Sequence, residues 1–546
     1  MDAALLPGAA LLGPGSAGLA LGPAAFSAGR PEPARWYVLA LYSWLSAQQS
    51  LLWMTYSSVD GAVAASFLGG GAGAATLDQL LDWGPVFFLV ALPAAVALLQ
   101  SSSGLGLRRS VLAAAALSFA GAAIRCVPAA LPPGSVGTWP VHVGQILNAA
   151  AAPFVVVSPA YLSLLWFPPA ERNAATAAAN TANALGRAAG FFLGPALVPQ
   201  TAPSDASAAS LATLVFVELG VAAVPLLAAI AYLPAEPAEP PSRAAADERE
   251  RRGGPPGGAA SLQLGGSDDD EAEARPPGTK PRAGPCARGV LAAAAAPFVA
   301  MLRLLAKPRT AAVMLSGGLQ MAAYGAWSGV LPGVLTAAVS RGGAGRTPWA
   351  AGVVGATNTL AGVAGGLAAG AATGWACLST RLRASSALLC AGSAAAFGVA
   401  ALCAPPLSSL PALGGGWPHA AVLVASTTVA GLLRGGSDPL FFELAAESAY
   451  PASSGDAGAA LTLFYHGLLS AMLALPPAAL AAAAFPGMAA CAAVSALVLV
   501  PVRVDYPRRR MERGPVAAGA LGDDDAAGGK RLGGTESSET EGEELR

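Results

Sequence analysis

The residues best suited to chemistry are the few polar and aromatic side chains that lie inside long apolar stretches. A charge at the centre of a bilayer costs about 2.5 to 3.5 kcal/mol on insertion scales, so polar groups kept at that depth are functional candidates. The residues suited to hold a planar polar solute are Trp53, Tyr56, Asn183, Tyr324, Trp327 and His466. The residues suited to carry a proton or to form an ion pair that breaks are Arg187, Glu218, Asp438, Glu443 and Glu447.

Aromatic residues recur at corresponding places in the two halves of the chain, as Trp53 and Tyr56 and again as Tyr324 and Trp327. Aromatic faces hold cations and planar rings, although such residues in apolar helices also serve as packing. His466 lies in an otherwise apolar stretch. It can bind a solute or titrate near neutral pH, and a structural, hydrogen-bonded histidine is an equally good interpretation.

Arg187 is predicted to lie deep inside an apolar stretch. It follows Arg172 by fifteen residues, which places it about 20 Å along a helix. A buried guanidinium needs a carboxylate or water, and Glu218 in the next stretch is the expected partner. We favour a structural salt bridge over a gating pair.

The sequence Gly435-Gly436-Ser437-Asp438-Pro439 is predicted to interrupt another apolar stretch. Pro439 removes a helical hydrogen bond, and a broken helix frees carbonyls and turns side chains toward a cavity. The alternative is a packing kink, with Glu447 facing the cytosol.

These residues must be positioned by membrane helices. Of 546 residues, 54% are hydrophobic and 12% are charged, whereas soluble domains have about 25% charged residues. Stretches of about 20 apolar residues recur, and we count twelve candidate spans. The predicted fold is an all-α membrane protein with two six-helix halves. The expected domains are a disordered cytosolic tail (1–34), a six-helix half (35–233), a cytosolic linker with a short amphipathic helix (234–309), a second six-helix half (310–502) and a disordered cytosolic tail (503–546).

Several classes of protein are not expected. The sequence has no phosphate-binding G-x-x-x-x-G-K-[ST] loop, so an ATP-driven pump is disfavoured. The six cysteines form no C-x-x-C pair, so neither a disulfide framework nor a zinc site is predicted. No cofactor and no other metal are expected. A net charge of −1 gives no reason to expect nucleic acid as a partner. No nucleophile, base and orienting group come together, so an enzyme is not expected.

The distribution of arginines predicts the orientation. Arg35, the pair Arg108 and Arg109, Arg172 and the linker would all face the cytosol if the first span starts there. Both termini are therefore expected in the cytosol. The layout is that of major facilitator superfamily transporters, in which two halves enclose a site near the midplane. A membrane receptor or sensor that signals through the linker is the alternative from another class.

Several short motifs carry a resemblance to a known family. They include Leu52-Trp53-Met54-Thr55-Tyr56-Ser57, Leu81-Asp82-Trp83-Gly84-Pro85, Gly144-Gln145-Ile146-Leu147-Asn148 and Phe441-Phe442-Glu443-Leu444. Together they resemble solute carrier family 49 of the major facilitator superfamily, over about residues 35–502. The family also contains the feline leukaemia virus subgroup C receptors.

The resemblance implies a uniporter or a proton-coupled symporter in the lysosomal membrane that exports pyridoxine, a form of vitamin B6, to the cytosol. We favour coupling to protons and expect a monomer. The receptor branch implies choline, ethanolamine or haem as alternative substrates, and the plasma membrane as an alternative location. Trp53 matches an aromatic ligand contact of that branch, His466 a polar amide, and Asn183 the first of two adjacent amides, whereas Ala184 replaces the second. Leu5-Leu6 could bind sorting adaptors, or occur by chance in so Ala- and Leu-rich a tail.

Overall fold

The structure is a computed structural model, and every regular element that it describes is an α-helix. Ala- and Leu-rich segments favour this conformation, and in lipid a helix satisfies its own backbone hydrogen bonds. The described residues are 32–59, 62–63, 66–67, 73–99, 105–131, 136–168, 171–198, 205–242, 245–246, 248–250, 299, 302–341, 349–372, 381–403, 417–450, 454–504 and 506.

The first half contains eight described helices. They are α1 (Ala34–Ser58), α2 (Gly73–Leu99), α3 (Gly106–Arg125), α4 (Val127–Ala130), α5 (Trp139–Val156), α6 (Pro159–Trp166), α7 (Arg172–Leu197) and α8 (Asp205–Ala231). The second half contains α9 (Pro308–Arg341), α10 (Trp349–Ala372), α11 (Leu382–Cys403), α12 (Trp417–Ala449), α13 (Ser454–Leu473) and α14 (Pro477–Leu499).

Each predicted span overlaps one of these helices, with α5 and α6 sharing one span across a bend of 42°. Among the described residues, five helices are long and apolar enough to cross a membrane, or six if the bent pair counts as one. A crossing by all twelve therefore stays a prediction.

Buried apolar residues show how the helices alternate in direction. One cluster joins the beginnings of α1, α3 and α7 to the ends of α2, α6 and α8. Another joins the beginnings of α9, α11 and α13 to the ends of α12 and α14. We call this end of the bundle the starting face and the opposite end the far face. Successive long helices thus run in opposite directions.

The two halves share a core toward the far face. There, Met54 of α1 and Phe191 of α7 belong to the same buried cluster as residues from α9 to α12 and α14. Closer to the middle, Phe88 and Leu92 of α2 pack against Leu463 of α13. The middle of the bundle is therefore walled by α1, α2 and α7 from one half and by α9, α12 and α13 from the other.

Polar side chains link neighbouring helices within each half. Gln49 and Asn148 each donate an amide hydrogen to the other's backbone carbonyl at 3.2 Å, which joins α1 to α5. Ser316 and Ser495 bond each other's carbonyls at 2.7 and 2.8 Å, which joins α9 to α14. Such bonds hold helices together where no water is available.

The predicted break at Pro439 is wrong, because α12 continues through it to Ala449. Proline removes one backbone donor, and the helix bonds on either side still form. Two residues before Pro439, the Ser437 hydroxyl donates to the Arg434 carbonyl at 2.7 Å. Asp438 is therefore presented by a continuous helix and not by an unwound segment.

The segment that follows α8 makes contacts with the first half. Glu236 pairs with Arg249 at 3.3 Å, and Arg172 donates a hydrogen bond to the hydroxyl of Ser242. The start of the predicted linker is thus ordered. The tail 1–31, most of the linker (251–298) and residues 507–546 lie outside the described residues, as does most of the amphipathic helix predicted over 290–305.

Helices α10 and α12 approach each other closely because glycine lies at their contact. This packing can be tested by substitution. A Cβ on Gly365 would clash with the Leu432 carbonyl oxygen, whereas a Cβ on Gly370 would meet nothing within 4 Å. We expect Gly365→Ala to lower the thermal unfolding midpoint of the purified protein, since overpacking costs about 1 to 3 kcal/mol. Gly370→Ala, on the same helix, is the matched control and should unfold like the wild type. Equal midpoints for the two variants would contradict this packing.

Candidate functional site

The middle of the bundle holds a group of aromatic and charged side chains contributed by both halves. Helices α1 and α7 of the first half supply two of them, and α9, α12 and α13 supply the rest. We call this group the central cluster, and its members are Trp53, Arg187, Tyr324, Arg434, Asp438 and His466.

Tyr324 is the aromatic ring at the centre of this group. The guanidinium carbon of Arg434 lies 3.7 Å from its ring centroid, and that of Arg187 lies 5.7 Å from it. Arg187 also lies 6.0 Å from the centroid of the Trp53 ring. The Tyr324 hydroxyl shares a 3.0 Å hydrogen bond with the Thr359 hydroxyl, which fixes the ring. A guanidinium this close to an aromatic face is attracted by its quadrupole.

Arg434 and Asp438 form an ion pair on one face of α12. Their atoms Nη1 and Oδ2 are 2.8 Å apart, and the side chains are 8% and 32% exposed. Asp438 also interacts electrostatically with Arg187 across the boundary between the halves. The central cluster thus contains two guanidiniums and one carboxylate, and it carries a formal charge of +1 with a neutral imidazole.

His466 of α13 stacks on Phe88 of α2, with ring centroids 3.5 Å apart and planes at 5°. Its Nδ1 lies 2.9 Å from the Thr462 carbonyl oxygen. A carbonyl only accepts, so Nδ1 carries the proton and Nε2 is the nitrogen left to accept a bond from a ligand. The stack also makes this residue part of the contact between the halves.

Trp53 lies against α2, where only glycine leaves room for it. A Cβ on Gly84 would come within 2.6 Å of the indole Nε1. That nitrogen is buried and has no hydrogen-bond partner among the described residues. Trp327, in contrast, meets Phe397 and Phe485 edge-on at 5.6 and 6.1 Å and stacks on Tyr324 at 5.9 Å. Trp327 therefore packs against the Tyr324 ring and helps to hold that ring in place.

A second polar group lies within the first half, toward the far face. Arg125 pairs with Glu218 at 3.6 Å, and both side chains are 1% exposed. Thr55 donates a hydrogen bond to Glu218, and the Arg125 guanidinium carbon lies 3.8 Å from the Tyr56 ring centroid. Arg125 also donates to the Leu52 carbonyl at 2.8 Å. We call these residues the Arg125 cluster.

The partner of Glu218 is therefore Arg125, and the expected pairing of Glu218 with Arg187 is wrong. Arg125 ends α3 and reaches inward to α1 and α8, while Arg187 reaches toward the second half. Tyr56 lies beside Arg125, whereas Trp53 lies beside Arg187. The cause of this correction is that spacing along a helix does not show which neighbouring helix its face meets.

The remaining predicted residues surround the central cluster. Asn183, one turn before Arg187, donates its amide to the Ser46 carbonyl at 3.2 Å and so joins α7 to α1. Glu443 is half-buried and Glu447 is buried on α12. They follow Asp438 by about 8 Å and about 14 Å along the axis, toward the starting face. Glu447 is thus in the core and does not face solvent.

Sequence reasoning missed two important residues. Arg434 lies four residues before Asp438, and this spacing puts opposite charges on one helix face, which was a usable signal. Arg125 stands at the end of an apolar stretch, where an arginine is typical of a membrane boundary, so its position gave no sign of a buried ion pair. Phe88 carried no signal, since a single phenylalanine in an apolar helix is typical of packing.

Comparison with known proteins defines the relationship. The chain is 34% identical over 222 residues to the solute carrier family 49 member 4 homolog of Xenopus laevis, a match over 39% of this chain and 47% of that protein. It is 29% identical over 434 residues to the Xenopus tropicalis homolog, over 77% and 80% of the two chains. The chain is thus similar to these solute carrier family 49 proteins over most of its length. No family model matches the sequence.

The chain also resembles the choline/ethanolamine transporter FLVCR2 of Homo sapiens, with 29% identity over 41% of this chain and 40% of that protein. In a comparison with solved structures, the crystal structure of a D-xylose–proton symporter matches this chain with a TM-score of 0.57 at 14% identity. The match covers 86% of this chain and 98% of the symporter chain. The fold is therefore that of the major facilitator superfamily, as predicted. These likenesses support a multi-pass membrane protein that handles a small solute.

Proposed function

We propose that this protein is a secondary transporter of a small, planar, polar solute, and that the solute is pyridoxine. The observation that carries the proposal is the central cluster itself. Trp53 and Arg187 from the first half and Tyr324 and Arg434 from the second meet in the middle of the bundle. A site divided between the halves can open to either side of the membrane when the halves rock.

Charge favours a neutral or zwitterionic ring over choline. Two guanidiniums and one carboxylate face Tyr324 and Trp53, so a permanent cation would meet repulsion at the aromatic faces that would otherwise hold it. A pyridine ring stacks on the indole, and its hydroxyl groups bond to the His466 imidazole and the guanidiniums. Pyridoxine has these features.

A ligand screen tests the substrate class. We expect pyridoxine to raise the thermal unfolding midpoint of the purified full chain in a saturable way, and choline to leave it unchanged, because only a bound ligand stabilises the folded state. Ethanolamine and haem complete the screen. A shift with choline and none with pyridoxine would contradict the proposed substrate and favour the activity named for the choline relatives.

Proton coupling is assigned to Asp438, with Glu443 and Glu447 as the other candidates on α12. When its carboxylate takes up a proton, Arg434 loses its partner and becomes available to the substrate, so substrate and proton travel together. A pH difference of one unit supplies about 1.4 kcal/mol per proton. The charged and titratable groups near this carboxylate are Arg434 on its own helix, Arg187 on α7, Tyr324 on α9, Cys390 on α11 and Tyr465 on α13.

The coupling can be measured in proteoliposomes. We expect uptake of labelled pyridoxine to rise severalfold when the side from which it is taken up is acidified. Asp438→Asn should abolish that stimulation while keeping exchange at equal pH on both sides. Glu443→Gln tests another candidate on the same helix and should keep the stimulation. If the pH gradient still stimulates uptake fully in Asp438→Asn, proton coupling belongs to another group.

The proposed location is the lysosomal membrane, with both termini in the cytosol and the starting face toward the cytosol. The acidic lumen would then supply the proton for export. The Leu5-Leu6 signal that could recruit sorting adaptors lies outside the described residues. Replacing both leucines with alanine should move a tagged protein to the plasma membrane. Unchanged lysosomal staining would show that Leu5-Leu6 does not direct sorting.

A further inference from the structure

The central cluster contains two guanidiniums, and its single carboxylate neutralises only one of these positive charges. In the described part of the chain, Arg187 Nε and Arg434 Nε are buried without a hydrogen-bond partner, although Arg434 also holds Asp438 at 2.8 Å. A buried guanidinium donor without an acceptor is costly. The arrangement is therefore incomplete as a purely structural ion pair.

The two guanidiniums come from opposite halves and converge on one ring. Both are within 6 Å of the centre of Tyr324, one at 3.7 Å from α12 and one at 5.7 Å from α7. Gly362 on α10 keeps space beside Arg434, since a Cβ there would lie 3.1 Å from its Nη2. The guanidinium fork matches the geometry of an oxyanion.

We propose that Arg187 and Arg434 form a subsite for an oxyanion attached to the planar ring of the solute, and that Asp438 pairs with Arg434 when this subsite is empty. The inference rests on the proposed function for the location of the ring. It adds that the carrier selects aromatic solutes with an acidic oxygen, which is a phenolate, a carboxylate or a phosphate. The ionised 3-hydroxyl of pyridoxine meets this requirement.

The opposing contributions of Arg434 and Asp438 distinguish a binding role from a structural one. If both residues only stabilised α12, removing either would weaken the protein and ligand binding alike. If Asp438 competes with the ligand for Arg434, replacing the aspartate improves anion binding, while replacing the arginine reduces it. Arg187 has no such competitor on its own helix, so its loss should only weaken binding.

Three pyridines that carry an anionic, a neutral or a cationic group at the same ring position provide the probes. They are pyridine-3-carboxylate, pyridine-3-methanol and 3-(aminomethyl)pyridine, and their binding to the purified full chain is measured by isothermal titration at neutral pH. We expect the carboxylate to bind at least tenfold more tightly than the amine. Arg187→Gln and Arg434→Gln should each reduce this ratio about tenfold, whereas Asp438→Asn should raise it. Arg108→Gln, at an exposed position, is the control.

A variant that misfolds is replaced by Arg434→Lys or by the double variant Arg434→Gln/Asp438→Asn, which removes both charges together. Equal binding of the three pyridines, or a ratio that Arg187→Gln and Arg434→Gln leave unchanged, would overturn the subsite. Because this assay needs no transport, a carboxylate preference in a protein that does not move pyridoxine would sustain the subsite and contradict only the proposed function.

Discussion

Replacing Glu218 with alanine should lower the free energy of unfolding by about 3 to 5 kcal/mol, because it leaves Arg125 charged and buried without its partner. Both side chains are 1% exposed, so water cannot take the place of the carboxylate. Thr55 would lose its acceptor as well. The expected result is a large fall in the thermal unfolding midpoint of the protein in detergent.

The control for this prediction removes both charges together. Arg125→Met/Glu218→Leu replaces the pair with apolar groups of similar size, and such exchanges are often neutral. We expect the double variant to unfold at a higher temperature than Glu218→Ala. If Glu218→Ala unfolds like the wild type, or the double variant is less stable still, the ion pair is not the main stabilising contact of the Arg125 cluster.

Replacing Trp53 with alanine should raise the KM for pyridoxine about tenfold or more. A ring–ring contact contributes about 0.5 to 1.5 kcal/mol beyond burial, and this indole also adjoins the Arg187 guanidinium at 6.0 Å. Trp53→Phe keeps a ring and should have a smaller effect. The uptake assay in proteoliposomes measures both variants.

Trp139, at the start of α5 and 53% exposed, provides the matched tryptophan control. Trp139→Ala should transport with the KM of the wild type. If Trp53→Ala also does so while the protein remains folded, the substrate does not stack on this ring, and Trp53 serves only to pack α1 against α2 at Gly84.

The helices could be predicted because apolar length and charge placement specify a membrane fold directly. Sequence reasoning also selected Trp53, Tyr324 and Asp438, since each is a polar or aromatic residue of a type that lipid disfavours or a ligand requires. Helix pairing could not be predicted. Glu218 pairs with Arg125 and not with Arg187. A carboxylate on α8 can face α1 and α3 as readily as α7, and only the packing of the helices decides between them.

The path of α12 shows a second limit of sequence reasoning. Gly435 and Gly436 precede Pro439 by four and three residues, and with it they predicted a break. In the structure they lie at the contact with α10, where Gly435 is against the backbone of Gly362. Close packing and helix breaking require the same residue type. The local sequence therefore could not distinguish them, whereas the neighbouring helix does.

The most direct test of the central claim is uptake of labelled pyridoxine and labelled choline by proteoliposomes that contain the purified chain. Both solutes are supplied at equal concentration, and empty liposomes are the blank. We predict saturable uptake of pyridoxine that excess unlabelled pyridoxine abolishes, with choline uptake at the level of empty liposomes. Saturable choline uptake without pyridoxine uptake would contradict the account.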